Sequence, residues 1–146
     1  MDSKGFVIIV GELGSGEFPS ELPVITAGSV QVIDCPECAV IVTDGAEIPT
    51  IRRAAGVMIN GDNGGSFPAE RLSGVQLITC GRCGKNTVSI TSDSGDSVTL
   101  ALNRAVTTLN GICEPMEYPV KRRNDTPEYL LMAEFAAAVL LGMIGE

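Results

Sequence analysis

Two periods of hydrophobic and polar positions divide the chain. Phe6–Val10 is a continuous apolar, β-branched run ending at Gly11, the pattern of a strand buried on both faces. Ala39-Val40-Ile41-Val42-Thr43 repeats it, and Val30-Gln31-Val32-Ile33 is a shorter run of the same kind. Residues 11–29 hold Pro19, Pro23 and four glycines, so this stretch is expected to be mostly irregular and not a crossover helix. Strand and helix patterns then alternate. Residues 46–55 read as a short helix, Gly56–Asn60 as a strand, 68–72 as a helix turn and 75–79 as a strand, an alternation that implies right-handed crossovers and a parallel sheet.

From Thr87 the period becomes two. Val88, Ile90, Val98, Leu100 and Leu102 alternate with small polar residues or Ala around a turn-rich segment, 92–97, and a second turn signal follows at Asn110-Gly111. That pattern predicts an antiparallel meander. Past Pro115 and Pro119, Thr126 is a candidate N-cap, with Pro127 at the first helical position and Glu128 in the first turn of a last helix running to about Gly142. The predicted fold class is therefore α/β: a mostly parallel, Rossmann-like sheet flanked by helices, with an antiparallel β-meander and a C-terminal helix. Residues 1–146 read as a single domain, with the parallel α/β part over 1–84, the meander over 85–120 and the C-terminal helix over 121–146.

Composition narrows what such a domain does. The 45% hydrophobic content against 19% charged residues fits a packed globule. A formal charge of −8 repels phosphate backbones and anionic lipids, so neither nucleic acid nor a membrane surface is an expected partner, whereas a protein partner or self-association is compatible. Lys121, Arg122 and Arg123 form the only basic cluster and read as a solvated connection. The chain has no His, the commonest general base and metal ligand. Phe6–Val10 is too short for the apolar core of a secretion signal, and the apolar stretch 129–144 is short for a bilayer span and contains Glu134. The expected location is the cytoplasm, with the five cysteines as reduced thiols.

Gly56-Val57-Met58-Ile59-Asn60-Gly61-Asp62-Asn63, then Ala69-Glu70-Arg71-Leu72 and Val75-Gln76-Leu77-Ile78-Thr79-Cys80-Gly81, follow one another as strand, helix and strand before the meander. In this order, and in the Ala-rich closing helix with Ala136-Ala137-Ala138, residues 39–144 resemble the central ATP-binding domain of Mur ligases. The resemblance implies a nucleotide-binding scaffold, but one without its catalytic signatures. Where the family carries a phosphate loop of the form Gly-Thr-x-Gly-Lys-Thr/Ser, this chain reads Gly11-Glu12-Leu13-Gly14-Ser15-Gly16, with Ser15 in the place of the lysine and Gly16 in that of the Mg²⁺-binding hydroxyl. The His-Asn pair at the head of the family's last helix falls near Thr126 and Pro127 and is absent. No catalytic residue is assigned, and the chain is not expected to be an enzyme. The amides of Gly11, Gly14, Ser15 and Gly16 remain a candidate anion or nucleotide cradle, with Asp62 and Asn63 beside it as candidate metal or ribose ligands.

Cys35-Pro36-Glu37-Cys38 and Cys80-Gly81-Arg82-Cys83 are two C-x-x-C pairs, together enough thiolates for tetrahedral zinc. In a parallel sheet the first pair enters a strand and the second leaves one, at opposite ends about 17–20 Å apart, too far for one ion. Antiparallel strands would bring them together. Cys113 reads as an ordinary small apolar residue. The leading expectation is a non-catalytic interaction or regulatory domain with no cofactor. Its alternatives are a zinc-binding or thiol-redox module using Cys35, Cys38, Cys80 and Cys83, and a weak nucleotide or anion binder.

Overall fold

The computed structural model describes residues 5–11, 23–63, 72, 74–122 and 126–144. Among these, the parallel strands are the apolar runs: β1 (Phe6–Val10), β2 (Val24–Ala27), β4 (Cys38–Val42), β6 (Gly56–Asn60) and β7 (Leu77–Cys80). Between them come β3 (Val32–Asp34) and β5 (Thr50–Arg53). β8 (Val88–Asp93), β9 (Ser97–Leu102), β10 (Val106–Thr108), β11 (Gly111–Cys113) and β12 (Met116–Lys121) follow, and α1 (Glu128–Leu140) closes the chain. The main sheet has the order β12-β9-β8-β7-β6-β4-β1-β2. Its half from β2 to β8 is parallel and its half from β8 to β12 antiparallel.

The sheet is mixed, the regular structure of the described residues is mostly strand, and α1 is the single α-helix among them. The expected Rossmann-like sheet flanked by helices is thereby corrected. Among the described residues, no α-helix lies on its second face, and β3 and β5 pack there. β3 and β5 pair with each other in parallel as a separate two-stranded layer, so the crossover from β4 to β6 runs through an extended segment. Residues 46–55, expected as a short helix, contain Pro49 and then β5, in which Ile51 is buried while Arg52 and Arg53 are exposed. That alternation is a strand's period, and Ile51 packs with Ile33, Val40 and Val57 under the sheet. Val24–Ala27, placed by the sequence in an irregular stretch, pairs with β1 at the sheet edge; Pro23 just precedes the strand, where its carbonyl accepts the Val7 amide at 2.8 Å and its missing amide is not needed. The helix turn expected at 68–72 lies outside the described residues except for the buried Leu72.

On the first face α1 is buried along most of its length. Leu130, Leu131, Met132, Phe135, Ala136, Val139 and Leu140 pack on Val7, Ile9, Ile41, Met58, Ile78 and Leu100. A helix apolar nearly all round needs cover on more than one side. The hairpin β10–β11 supplies part of it, the Leu109 amide donating to the Leu140 carbonyl at 2.9 Å, and Tyr118 of β12 stacks on Phe135 with ring centroids 5.5 Å apart. Pro127, not Thr126, occupies the N-cap position, with ψ 150° and no side-chain cap bond. Gly142 ends the helix at φ +80°, its amide donating to the Val139 carbonyl. No helix among the described residues is long and apolar enough to cross a membrane.

Parallel neighbours normally need a long crossover, yet β7 and β8 are joined by a short loop. Their pairing explains it: Cys80, the last residue of β7, faces Val88, the first of β8, so β8 starts at the level where β7 stops. Thr79 and Thr87 tie the step, the Thr87 amide donating to Thr79 Oγ1 at 3.0 Å.

Candidate functional site at the carboxyl ends of the parallel strands

Ligands of open parallel sheets bind beyond the carboxyl ends of the strands, where successive connections leave in opposite directions. Here β1 leads to β2 on one side and the chain returns to β4 on the other, which puts that point between β1 and β4. Gly11 leaves β1 with φ +111°, and the buried Thr43 leaves β4 beside it, its hydroxyl donating to the Val10 carbonyl at 3.0 Å. Of the candidate anion cradle, Gly11 is thus placed at the switch point. Gly14, Ser15 and Gly16 lie outside the described residues.

The next strand ends carry a chain of polar contacts. Asn60, last in β6, donates through Nδ2 to Asp44 Oδ1 at 3.0 Å and accepts the Asp62 amide at 2.9 Å. The Asp62 carboxylate in turn accepts the Arg82 amide through both oxygens at 3.1 Å. Asp62, a candidate ribose or metal ligand, is therefore already engaged on the turn after β7. Asn86, 8% exposed, donates to the Cys83 carbonyl at 2.9 Å and packs so closely on Gly61 and Gly81 that a Cβ on either would fall within 2.6 Å of it. Small residues at 61 and 81 are what let the turns close over it.

Arg82 then reaches the start of α1. Its Nε donates to Glu128 Oε1 at 2.9 Å, its terminal nitrogen meets the other Glu128 oxygen, and Asp93 lies 3.4 Å away. Arg122 completes the network, 2.5 Å from Asp93 and 3.8 Å from Glu128. A residue expected in a solvated basic loop is thus part of an ion network, while Arg123 lies outside the described residues. The hydrogen bond and charge of Arg82 hold Glu128 below the usual carboxylate range, and the Gly95 amide followed by Arg122 does the same for Asp93. Depressed values have one sign for stability: the contribution is complete above the ordinary carboxylate range of about 4–4.5 and drains away as pH falls through the lower folded values. Melting temperatures of the wild type and of an Arg82→Ala, Arg122→Ala double variant should differ at pH 7 and converge as pH drops from about 5 to 3. Parallel curves across that range would mean the network does not couple to folding.

Inside the fold, Tyr129 in the first turn of α1 sends its hydroxyl between two strands, 2.7 Å from the Val42 carbonyl and 2.9 Å from that of Met58. Burial pushes this phenol well up, so it stays neutral and a donor. Sequence pattern singles out neither Tyr129 nor the Arg82 and Asn86 contacts. The one signal it offers is a lone tyrosine beside Glu128 at the head of an apolar helix.

The cysteine pairs lie at opposite ends of the parallel strands. Cys38 begins β4 and Cys80 ends β7; through β6, Ala39 is level with Gly56, and Asn60 with Cys80. They are thus five residues apart along parallel strands, about 16 Å, so the structure does not bring the four thiols together. Among the described residues no three His, Cys, Asp or Glu side chains cluster as metal ligands do. Cys38 is buried on one face and Cys80 on the other. Burial pushes Cys80 far up, and burial followed by the neighbouring Cys35 thiol pushes Cys38 up to about 12. Neither is a ready thiolate at neutral pH.

No family model, no curated protein and no solved structure matches the chain. Its chemistry therefore rests on these contacts. At the strand ends Asp44, Asn60, Asp62, Arg82 and Glu128 form one chain of contacts.

Proposed function

We propose that the chain is a non-catalytic interaction or regulatory domain, binding a protein partner or a second copy of itself, on a scaffold that resembles the central domain of Mur ligases without its phosphate lysine. One observation supports this above the others. Among the described residues at the carboxyl ends of β6 and β7, Asn60, Asp62, Arg82 and Glu128 are engaged with one another, joining the strand ends to α1, and Asn86 is spent on the Cys83 carbonyl. Catalytic side chains are ordinarily held with a donor, acceptor or charge aimed at the place a substrate fills. Here those valences close turns. The replacement of the lysine by Ser15 points the same way, since without a cation on the terminal phosphates, and with Glu12 and Glu17 nearby in sequence, ATP loses its strongest contact.

A second reading, a weak nucleotide or anion binder using Gly11, Gly14, Ser15 and Gly16 with Asp62, is favoured by the position of Gly11 at the switch point between β1 and β4. Calorimetric titration of the full chain with ATP and Mg²⁺ separates the two. The interaction domain is expected to give no saturable heat and no phosphate release. Saturable binding without turnover would establish the second reading, and binding with slow hydrolysis would overturn both.

A further inference from the structure

The two C-x-x-C pairs differ in a way their sequences do not show. In Cys35-Pro36-Glu37-Cys38 the Cys38 amide donates to the Cys35 carbonyl at 3.3 Å, closing a β-turn with Pro36 and Glu37 at its corners. Pro36 suits the first corner because its ring presets φ near −65°. A turn of this kind keeps its first and fourth Cα atoms within about 7 Å, and a disulfide spans about 4.4–6.8 Å between Cα atoms. The two thiols are also electrostatic neighbours, Cys35 adding to the effect of burial in pushing the Cys38 thiol up. In the second pair the closed turn comes later, the Asn86 amide donating to the Cys83 carbonyl at 3.0 Å. Cys80 is wholly buried under α1 and Cys83 is exposed.

We propose that Cys35 and Cys38 are a reversible dithiol–disulfide pair, oxidised by a small disulfide of the glutathione class, and that Cys80 and Cys83 are not. Cys35 is half-buried and takes the first step, while Cys38, with no exposed surface, reacts only from inside. The Cys35 thiolate attacks one sulfur of glutathione disulfide, the S–S bond breaks, and one glutathione leaves as thiolate. Cys38 then gives its proton to solvent and attacks the Cys35 sulfur, breaking the mixed disulfide and releasing the second glutathione. Two protein thiols become one disulfide, and the two electrons reside on two glutathione thiols. Cys38, with its raised pKa, is a poor leaving group, so the internal bond once formed resists reduction.

The position gives the bond a consequence. The turn ties four strands at one corner: the Cys35 amide, just after β3, donates to the carbonyl of Arg53 at the end of β5, the Phe6 amide of β1 to the Glu37 carbonyl, and the Ala55 amide to the carbonyl of Cys38 in β4. A covalent link across 35–38 fastens β1, β4 and the passage from β5 to β6 at the end of the sheet opposite the polar strand ends.

The test equilibrates the native full chain in glutathione buffers from reducing to oxidising, quenches with acid, alkylates the remaining thiols and maps the peptides by mass. Toward the oxidising end we expect loss of alkylation at Cys35 and Cys38 together, with two hydrogens lost and no glutathione retained, reversed by dithiothreitol, while Cys80 stays reduced. Cys38→Ala should stop at a glutathione adduct on Cys35, and Cys35→Ala should leave Cys38 reduced. The proposal is overturned if wild-type Cys35 and Cys38 remain alkylatable throughout, if Cys35 ends as a stable glutathione adduct, or if either bonds to another cysteine.

Discussion

Gly11→Ala should cost roughly 2–5 kcal/mol, a large part of a stability of about 5–15 kcal/mol ordinary for a domain. Two independent effects add. At φ +111° the backbone is in a region that a side chain strongly disfavours. A Cβ there would also lie 1.9 Å from Thr43 Oγ1 and 2.9 Å from the Ala46 Cβ, where no atom can sit. Thr43 cannot easily retreat, since it is buried and its hydroxyl is bonded to the Val10 carbonyl. Urea unfolding measures the loss as a lower midpoint with unchanged slope. Adding Thr43→Ala should relieve the clash and not the strain, so the double variant should lie between Gly11→Ala and Thr43→Ala. A cost of Gly11→Ala below about 0.5 kcal/mol would show that the exit from β1 is not built as described.

The second large effect is expected at the centre of the sheet. Ile41 of β4 is level with Ile9 of β1 and Met58 of β6, all three without exposed surface and all facing α1. Ile41→Ala leaves a cavity with strands hydrogen-bonded on both sides and a buried helix above, so the walls collapse little, and a loss of about 2–5 kcal/mol follows, toward the upper end. Ile25→Ala, on edge strand β2 and 55% exposed, is the internal control and should cost about 0.5 kcal/mol or less. Equal losses at the two positions would contradict the placement of the core.

These positions also show how much is legible in the residues themselves. Ile41 is readable as core because it lies in an unbroken β-branched run, and Phe6–Val10 and Gly56–Asn60 are readable as strands for the same reason. Residues 46–55 are not, because Arg52, Arg53, Ala54 and Ala55 are as acceptable in a helix as in a strand; β5 forms because β3 lies alongside to accept its ladder. β12 is hidden by Pro119, which a central strand would exclude and an edge strand tolerates. The candidate site is legible only in part. Asp62 and the cysteine pairs stand out as residue types, yet the partner of Asp62 is twenty positions away at Arg82, and that of Arg82 forty-six further at Glu128.

What the sequence alone determined, then, is local. Apolar runs decide which segments are buried strands, Gly11 and Gly142 decide where the chain turns, and the missing lysine and histidines decide which chemistry lacks its groups, since each of these is carried by residues next to one another. What only the tertiary structure decided is what those segments lie against. A helix or a strand layer can cover the same apolar face with equal loss of water contact, so periodicity could not say that β3 and β5 pack on the second one. Polar side chains, too, were assigned by long-range placement: Asp62 and Arg82 were drawn into fastening the carboxyl ends of the sheet, and one C-x-x-C pair was folded into a single turn while the other was divided between core and surface.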